Sequence, residues 1–217
     1  MAVVDAEYKF LVIDVGQPGS QSDGGVWESS LLGRALAIDH INLPPPELVN
    51  EIEEPLPYVF LGDEAFPLKP YMMRPFPARK LDSDLKRVFN YRLSRARRVV
   101  ENAFGILSQR WRLLLTAIHM SPEKAALLVK TMCVLHNYLR TTNDTRYFPA
   151  GYADNICQNG AVQEGFWRNA PCMNIDILNT YARRATAEAT AIRNRFVQYF
   201  SSEHGSVPWQ FNYIHRR

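Results

Sequence analysis

Pro57-Tyr58-Val59-Phe60-Leu61-Gly62-Asp63-Glu64-Ala65-Phe66 sets a short apolar run directly before a glycine and two acids. Tyr58 to Leu61 form a short apolar run of the kind a buried strand shows, and Gly62 ends it. Asp63 therefore stands at the C-terminal end of a strand, where open α/β sheets gather ligands and catalytic groups.

Upstream, residues 2–16 read as two strands rich in Val, Ile, Phe and Tyr, joined by a polar turn at Asp5-Ala6-Glu7. QPGSQSDGG (17–25) is a loop by composition, and VWESSLLGRALA (26–37) has the apolar spacing of a single helix. Downstream, residues 69–86 contain Pro70, Pro75 and Pro77 and read as loop. A long helix is expected over about 87–112, with its apolar stripe at Phe89, Leu93, Ala96, Val100, Ala103/Phe104, Leu107 and Trp111. Ser121 and Pro122 open another helix, with the stripe Ala125, Leu128, Met132, Leu135, Leu139. His136, on the apolar side of that helix, reads as a buried structural histidine rather than a ligand. Residues 141–174 read as polar and irregular, and a last helix is expected over about 175–200. This order of elements is α/β rather than all-α.

Composition narrows the class further. The 217 residues are 47% hydrophobic and 22% charged, which excludes a wholly disordered chain. No apolar run approaches the ~18 residues of a membrane span, and Met1 to Phe10 has no secretory pattern. Three cysteines without a CxxC pair argue against a disulfide framework or zinc site and for a reducing compartment. The net charge of +3 conceals an asymmetry: residues 1–68 carry twelve acids and two bases, and residues 69–112 carry twelve bases and three acids. The basic stretch is a candidate surface for a polyanion, or the two stretches neutralise each other in the fold.

Asp63 and Glu101, the latter at the edge of the long helix's apolar stripe, are the candidate chemical pair. Two carboxylates brought together repel each other unless a cation lies between them, and oxygen ligands favour Mg²⁺ or Mn²⁺. Such ions support hydrolysis of a phosphodiester. The residues by themselves leave a second reading open: Glu101 as an i−4 salt-bridge partner of Arg97, and Asp63 as a turn residue.

Four collinear stretches carry a family resemblance: residues 5–36, PYVFLGDEAFPLKPYMMRPFP (57–77), FNYRLSRARRVVENAFGILSQRWRLL (89–114) and CVLHNYLR (133–140). They resemble the Harbinger transposase-derived nucleases of the DDE superfamily of endonucleases. The resemblance implies an RNase H-like mixed sheet flanked by helices over residues 1–140, followed by a mainly helical extension over 141–217. It implies a catalytic triad of two aspartates and a glutamate holding divalent metal, with Asp63 in GDEAFPL as the second aspartate and Glu101 in VVENAFG as the glutamate. The first aspartate of that pattern belongs to a strand that would precede residue 2, so the chain is expected to lack that strand and that ligand. Asp5 and Asp14 do not occupy its position, and Asp23 matches a recurrent family aspartate other than the catalytic one. The resemblance further implies DNA as substrate, with phosphate contacts from Arg92, Arg95 and Arg98, a Myb/SANT-like partner protein and residence in the nucleus. The alternative function is a domesticated, catalytically inactive module that binds DNA or protein.

Overall fold

The computed structural model describes residues 1–49, 54–169 and 185–215. The chain divides into two compact units. The first comprises Met1–Gln21 and Arg98–Leu178, the second Ser22–Arg97 and Asn179–Arg217. The helix Asp84–Arg110 contributes to both units. The architecture is mixed α/β. Among the described residues there are six helices and three separate two-stranded pairs. No helix among them is long and apolar enough to cross a membrane.

In the first unit, β1 (Ala2–Val4) and β2 (Phe10–Ile13) form the expected antiparallel hairpin, with Val3 opposite Val12. Asp5 shapes its turn by accepting from the backbone N–H groups of Glu7 and Lys9 at 3.0 and 2.8 Å. That turn places Tyr8 at φ 67°, a left-handed conformation uncommon for an aromatic residue. Phe10 turns inward against Ala103, Leu107, Met132 and Cys133. Asn137 clamps its backbone, accepting from the Phe10 N–H and donating to the Phe10 carbonyl, each at 2.8 Å.

Helix α4 (Pro122–Thr141) begins where Ser121 and Pro122 predict, but its buried face is turned slightly from the expected stripe. Met132, Cys133 and His136 are buried, and Leu135 is exposed. His136 is fully enclosed, as expected of a structural histidine. One ring nitrogen lies 2.7 Å from the Tyr8 carbonyl, which can only accept, so Nε2 carries the proton. Nδ1 then accepts from the Tyr147 hydroxyl at 2.6 Å. Burial holds the imidazole below its usual range. The unfolded chain therefore takes up a proton near pH 6.5 that the folded chain refuses. Stability is expected to fall as pH drops below about 6.5, by up to ~1.4 kcal/mol per pH unit from this one group. Urea denaturation at pH 7 and pH 5 checks this, and His136→Gln is expected to flatten the difference.

The segment after α4 is more ordered than its composition suggests. It holds β5 (Asn155–Ile156) paired antiparallel with β6 (Val162–Gln163), and a 3₁₀ turn at Phe166–Asn169 that buries Trp167.

In the second unit the single helix expected over 26–37 is two helices, α1 (Asp23–Ser29) and α2 (Leu31–Ala37). Ser30 makes the break. Its backbone is extended, its hydroxyl donates to the Trp27 carbonyl at 2.7 Å, and it accepts from the Gly33 N–H at 2.9 Å. A serine that caps one helix while closing another favours two helices over one. Ser30→Ala is expected to cost about 1 kcal/mol, readable in chemical denaturation.

β3 (Phe60–Leu61) is the expected strand, and it pairs in parallel with β4 (Met72–Met73), inside the segment read as loop. Prolines at 70 and 75 hide so short a strand from pattern reading. α3 (Asp84–Arg110) is the expected long helix. Phe89 and Leu93 are buried on its N-terminal half as the stripe predicts. Further along, Ala103 and Leu107 are buried but Ala96 and Phe104 are exposed, and Val88 and Ile106 are buried in addition. The last expected helix begins later than read: α5 (Ala187–Ser201) starts after Thr186, whose backbone is extended and whose hydroxyl caps it by accepting from the Ala189 N–H; residues 175–184 of that reading lie outside the described residues. A short α6 (Gln210–Ile214) follows. The core of this unit gathers Leu68, Met73, Phe76, Phe89, Leu93 and Ile192. Asn90 holds Phe76 as Asn137 holds Phe10, with both bonds to the Phe76 backbone at 2.8 Å.

Candidate functional site

Asp63 lies in the second unit, directly after β3 and Gly62. A Cβ at Gly62 would sit 2.7 Å from Phe66, so the turn closes tightly only with glycine there. One Asp63 carboxylate oxygen accepts from the Ala65 N–H at 2.9 Å and so rigidifies the turn. The other faces Arg97 of α3 at 3.6 Å. The carboxylate keeps a third of its surface in solvent. Arg97 thus pairs with Asp63, not with the helix neighbour that the i−4 reading gives it.

A second carboxylate stands near Asp63. Ser22 caps α1 through its hydroxyl, which accepts from Gly25 N–H, and this puts Asp23 in the first turn. Gly24 packs so closely that a Cβ there would lie 2.8 Å from the Ala65 carbonyl oxygen. Trp27 seats the helix by packing against Phe60 and Phe66. Partial burial, and then the charge of Asp63, push the Asp23 carboxyl above its usual range. Sequence reading set Asp23 aside; the Ser-Asp-Gly-Gly cap was the signal that it begins a helix beside another element.

Glu101 lies in the first unit on α3, about half exposed, with Arg168 at 3.9 Å. Arg168 is anchored elsewhere. It grips Asp154 with two hydrogen bonds, Nε to Oδ1 at 2.8 Å and Nη2 to Oδ2 at 2.6 Å. The Asp154 side chain is 1% exposed, and it also accepts from Gly165 N–H at 2.9 Å and Arg98 at 3.3 Å. Burial alone would raise its carboxyl; the bonds from Arg168 and Gly165 and the charge of Arg168 outweigh that and hold it below the usual carboxylate range. Nothing in residues 141–174 marks Arg168 or Asp154 by pattern, because their partners are distant in sequence.

The three arginines read as phosphate contacts all have protein partners. Arg92 donates to the Gly205 carbonyl at 2.7 Å and lies over Phe200. Arg95 donates to the Tyr91 hydroxyl at 2.5 Å and lies over Tyr91 and Trp209. Arg98 donates to Asp154.

Asp63 and Asp23 in the second unit and Glu101 in the first are each hard oxygen donors, the kind that Mg²⁺ or Mn²⁺ takes. The mutual repulsion of Asp23 and Asp63 is what a cation relieves. Among the described residues, no group of three or more His, Cys, Asp or Glu side chains converges as a metal site.

Asp63 follows a strand in GDEAFPL and Glu101 lies on a helix in VVENAFG. The chain belongs to the DDE superfamily endonuclease family, whose model matches residues 1–137. It is 31% identical over 149 residues to a protein of Arabidopsis thaliana described as "Protein ALP1-like", a match covering 66% of this chain and 35% of that protein. The chain thus spans about a third of the length of that relative. No solved structure matches it. The family match bears out the resemblance read from the motifs.

Proposed function

We propose that this chain carries a transposase-derived nuclease site that cleaves phosphodiester bonds of DNA with divalent metal, within an RNase H-like frame. The observation that carries this reading is the family match over 1–137, which includes Asp63 in its rigid turn and Glu101 beside Arg168. Asp63 and Glu101 would hold the cation, which when bound supplies water activation and stabilises the leaving oxygen. The Ala65 N–H fixes the Asp63 carboxylate, and Arg168, held by Asp154, balances the charge of Glu101. Arg92, Arg95 and Arg98 are the phosphate contacts of this reading. Nuclear residence and a Myb/SANT-like DNA-binding partner belong to it too, and co-purification from nuclear extract tests both.

The second reading, an inactive DNA- or protein-binding module, is favoured by the engagement of the Asp63 carboxylate in its own turn and with Arg97. Nicking of supercoiled DNA with Mn²⁺ separates the two. The chain is expected to nick weakly, and Glu101→Gln and Asp63→Asn are expected to remove what activity there is. Robust nicking abolished by Asp23→Asn as well would make Asp23 the third carboxylate. Nicking indifferent to Glu101→Gln and Asp63→Asn would overturn the site assignment. Duplex binding is expected to weaken with salt, and Arg95→Ala to reduce the slope of log K on log salt by about one.

A further inference from the structure

The buried face of α5 consists of Ala189, Ile192 and Val197, and one guanidinium, that of Arg193. The residue is 8% exposed. Its guanidinium lies 3.7 Å from the centre of the Phe76 ring, and Asn90 holds the Phe76 backbone at both polar atoms. Arg193 makes no hydrogen bond among the described residues, and its Nε is shielded from solvent without a partner. No carboxylate among the described residues pairs with it.

A second guanidinium shares this place. Arg74, two residues before Phe76, donates through Nη1 to the carbonyls of Glu64 and Phe66 at 3.0 and 3.3 Å. Its Nε is likewise buried without a partner. Burial, and then the charge of Arg74, push Arg193 down to about 10, so it stays charged at neutral pH. Burial pushes Arg74 down as well, against the attraction of the Glu64 carboxylate, which makes no ion pair with it.

A guanidinium buried on a core face, under the repulsion of a second, half-buried one, works against folding, and an apolar side chain at 193 would pack there without that cost. Contact with one aromatic ring offsets only part of it. Among the described residues no carboxylate makes an ion pair with either guanidinium, and the planar guanidinium fork matches the oxygens of a phosphate group.

We propose that Arg74 and Arg193 form a binding site for a phosphate group, with Phe76 as the platform that presents the Arg193 fork. The phosphate is either free or part of a nucleic-acid backbone. The inference stands apart from the reading of Asp63 and Glu101 as metal ligands and needs no catalysis to be tested.

The experiment melts the full chain in inorganic phosphate and in chloride at equal ionic strength, beside Arg193→Met and Arg74→Met. The wild-type melting temperature is expected to rise with phosphate concentration. Arg193→Met is expected to melt higher than wild type in chloride, having lost an unpaired buried charge, and to lose the phosphate-specific rise. General exclusion of phosphate from protein surfaces acts on both proteins alike and cancels in the comparison. Arg74→Met and Arg193→Lys, which keeps charge without the fork, are each expected to weaken phosphate binding by about tenfold, the scale of one charge-assisted contact. They keep the test open if Arg193→Met does not fold.

Anisotropy of a labelled duplex identifies the source. Weaker duplex binding by Arg193→Met, with a salt slope lower by about one, assigns the site to backbone phosphate. Unchanged duplex binding with a lost response to free phosphate assigns it to free phosphate. A wild-type chain that responds to phosphate no more than Arg193→Met and Arg74→Met do overturns the proposal.

Discussion

Replacing Asp154 by alanine is expected to destabilise the first unit by about 3–5 kcal/mol, the cost of removing one partner from a buried ion pair. The size follows from what the carboxylate holds. Arg168 gives it two short hydrogen bonds, Arg98 a third, and the Gly165 N–H a fourth, around a side chain 1% exposed. Its loss leaves two cations facing each other and an amide without an acceptor. Asp154→Asn retains an acceptor for Gly165 and is expected to lose less. Urea denaturation of the three proteins at pH 7 measures the order. The network contributes fully above pH ~4, where the unfolded carboxyl is ionised, and the contribution is lost progressively as pH falls toward the lowered folded value. A loss under about 1 kcal/mol, the scale of an exposed pair, would mean that solvent reaches the network freely.

The second large effect is expected at Gly105, where two physical terms oppose each other. In a helix interior, alanine is favoured over glycine by about 1 kcal/mol. Here a Cβ would lie 2.2, 2.3 and 2.6 Å from ring atoms of Trp167. The ring cannot step aside: its Nε1 donates to the Asn102 side-chain Oδ1 at 2.6 Å, and Arg168 covers it at 4.3 Å. The steric term therefore wins, and Gly105→Ala is expected to cost about 1–3 kcal/mol net. A double-mutant cycle with Trp167→Leu, which vacates the ring's space, is expected to return part of that loss. Additivity of the two substitutions would show that the ring relaxes on its own.

Gly105 and Asp154 also mark where sequence reading stops. The hairpin, the strand end at Asp63, the long helix and the start of α4 were legible because each is announced locally, by an apolar period, a glycine stop or a Ser-Pro pair, although the Ser121 side chain makes no capping bond. The motifs around Asp63 and Glu101 were legible for the same reason, since both lie within continuous stretches of family pattern. The division at Ser30 was not, because a serine between two apolar runs is neutral until its hydroxyl chooses partners. β4 was not, because two residues between prolines carry no period. The setting of Glu101 was least legible. Arg98 and Asp154 are 56 residues apart, Asn102 and Trp167 65 apart, and such pairs leave no trace in one sequence. The same distance effect ties Arg92 to Gly205, so a row of arginines on one helix does not reveal how many of their donors are already engaged.

Asn137 and Asn90 each hold both polar atoms of one phenylalanine backbone, Phe10 in the first unit and Phe76 in the second. A side-chain amide here does the work of a neighbouring strand, one residue wide. The two amide protons are therefore sealed by a contact that only tertiary structure provides, and fraying of a strand or helix end does not release them. Their rates of exchange with deuterated solvent become separate clocks, one for each half of the chain. If the halves open independently, a denaturant concentration exists at which the Phe10 proton has exchanged and the Phe76 proton has not, or the reverse. If they open together, the two clocks keep the same time at every concentration.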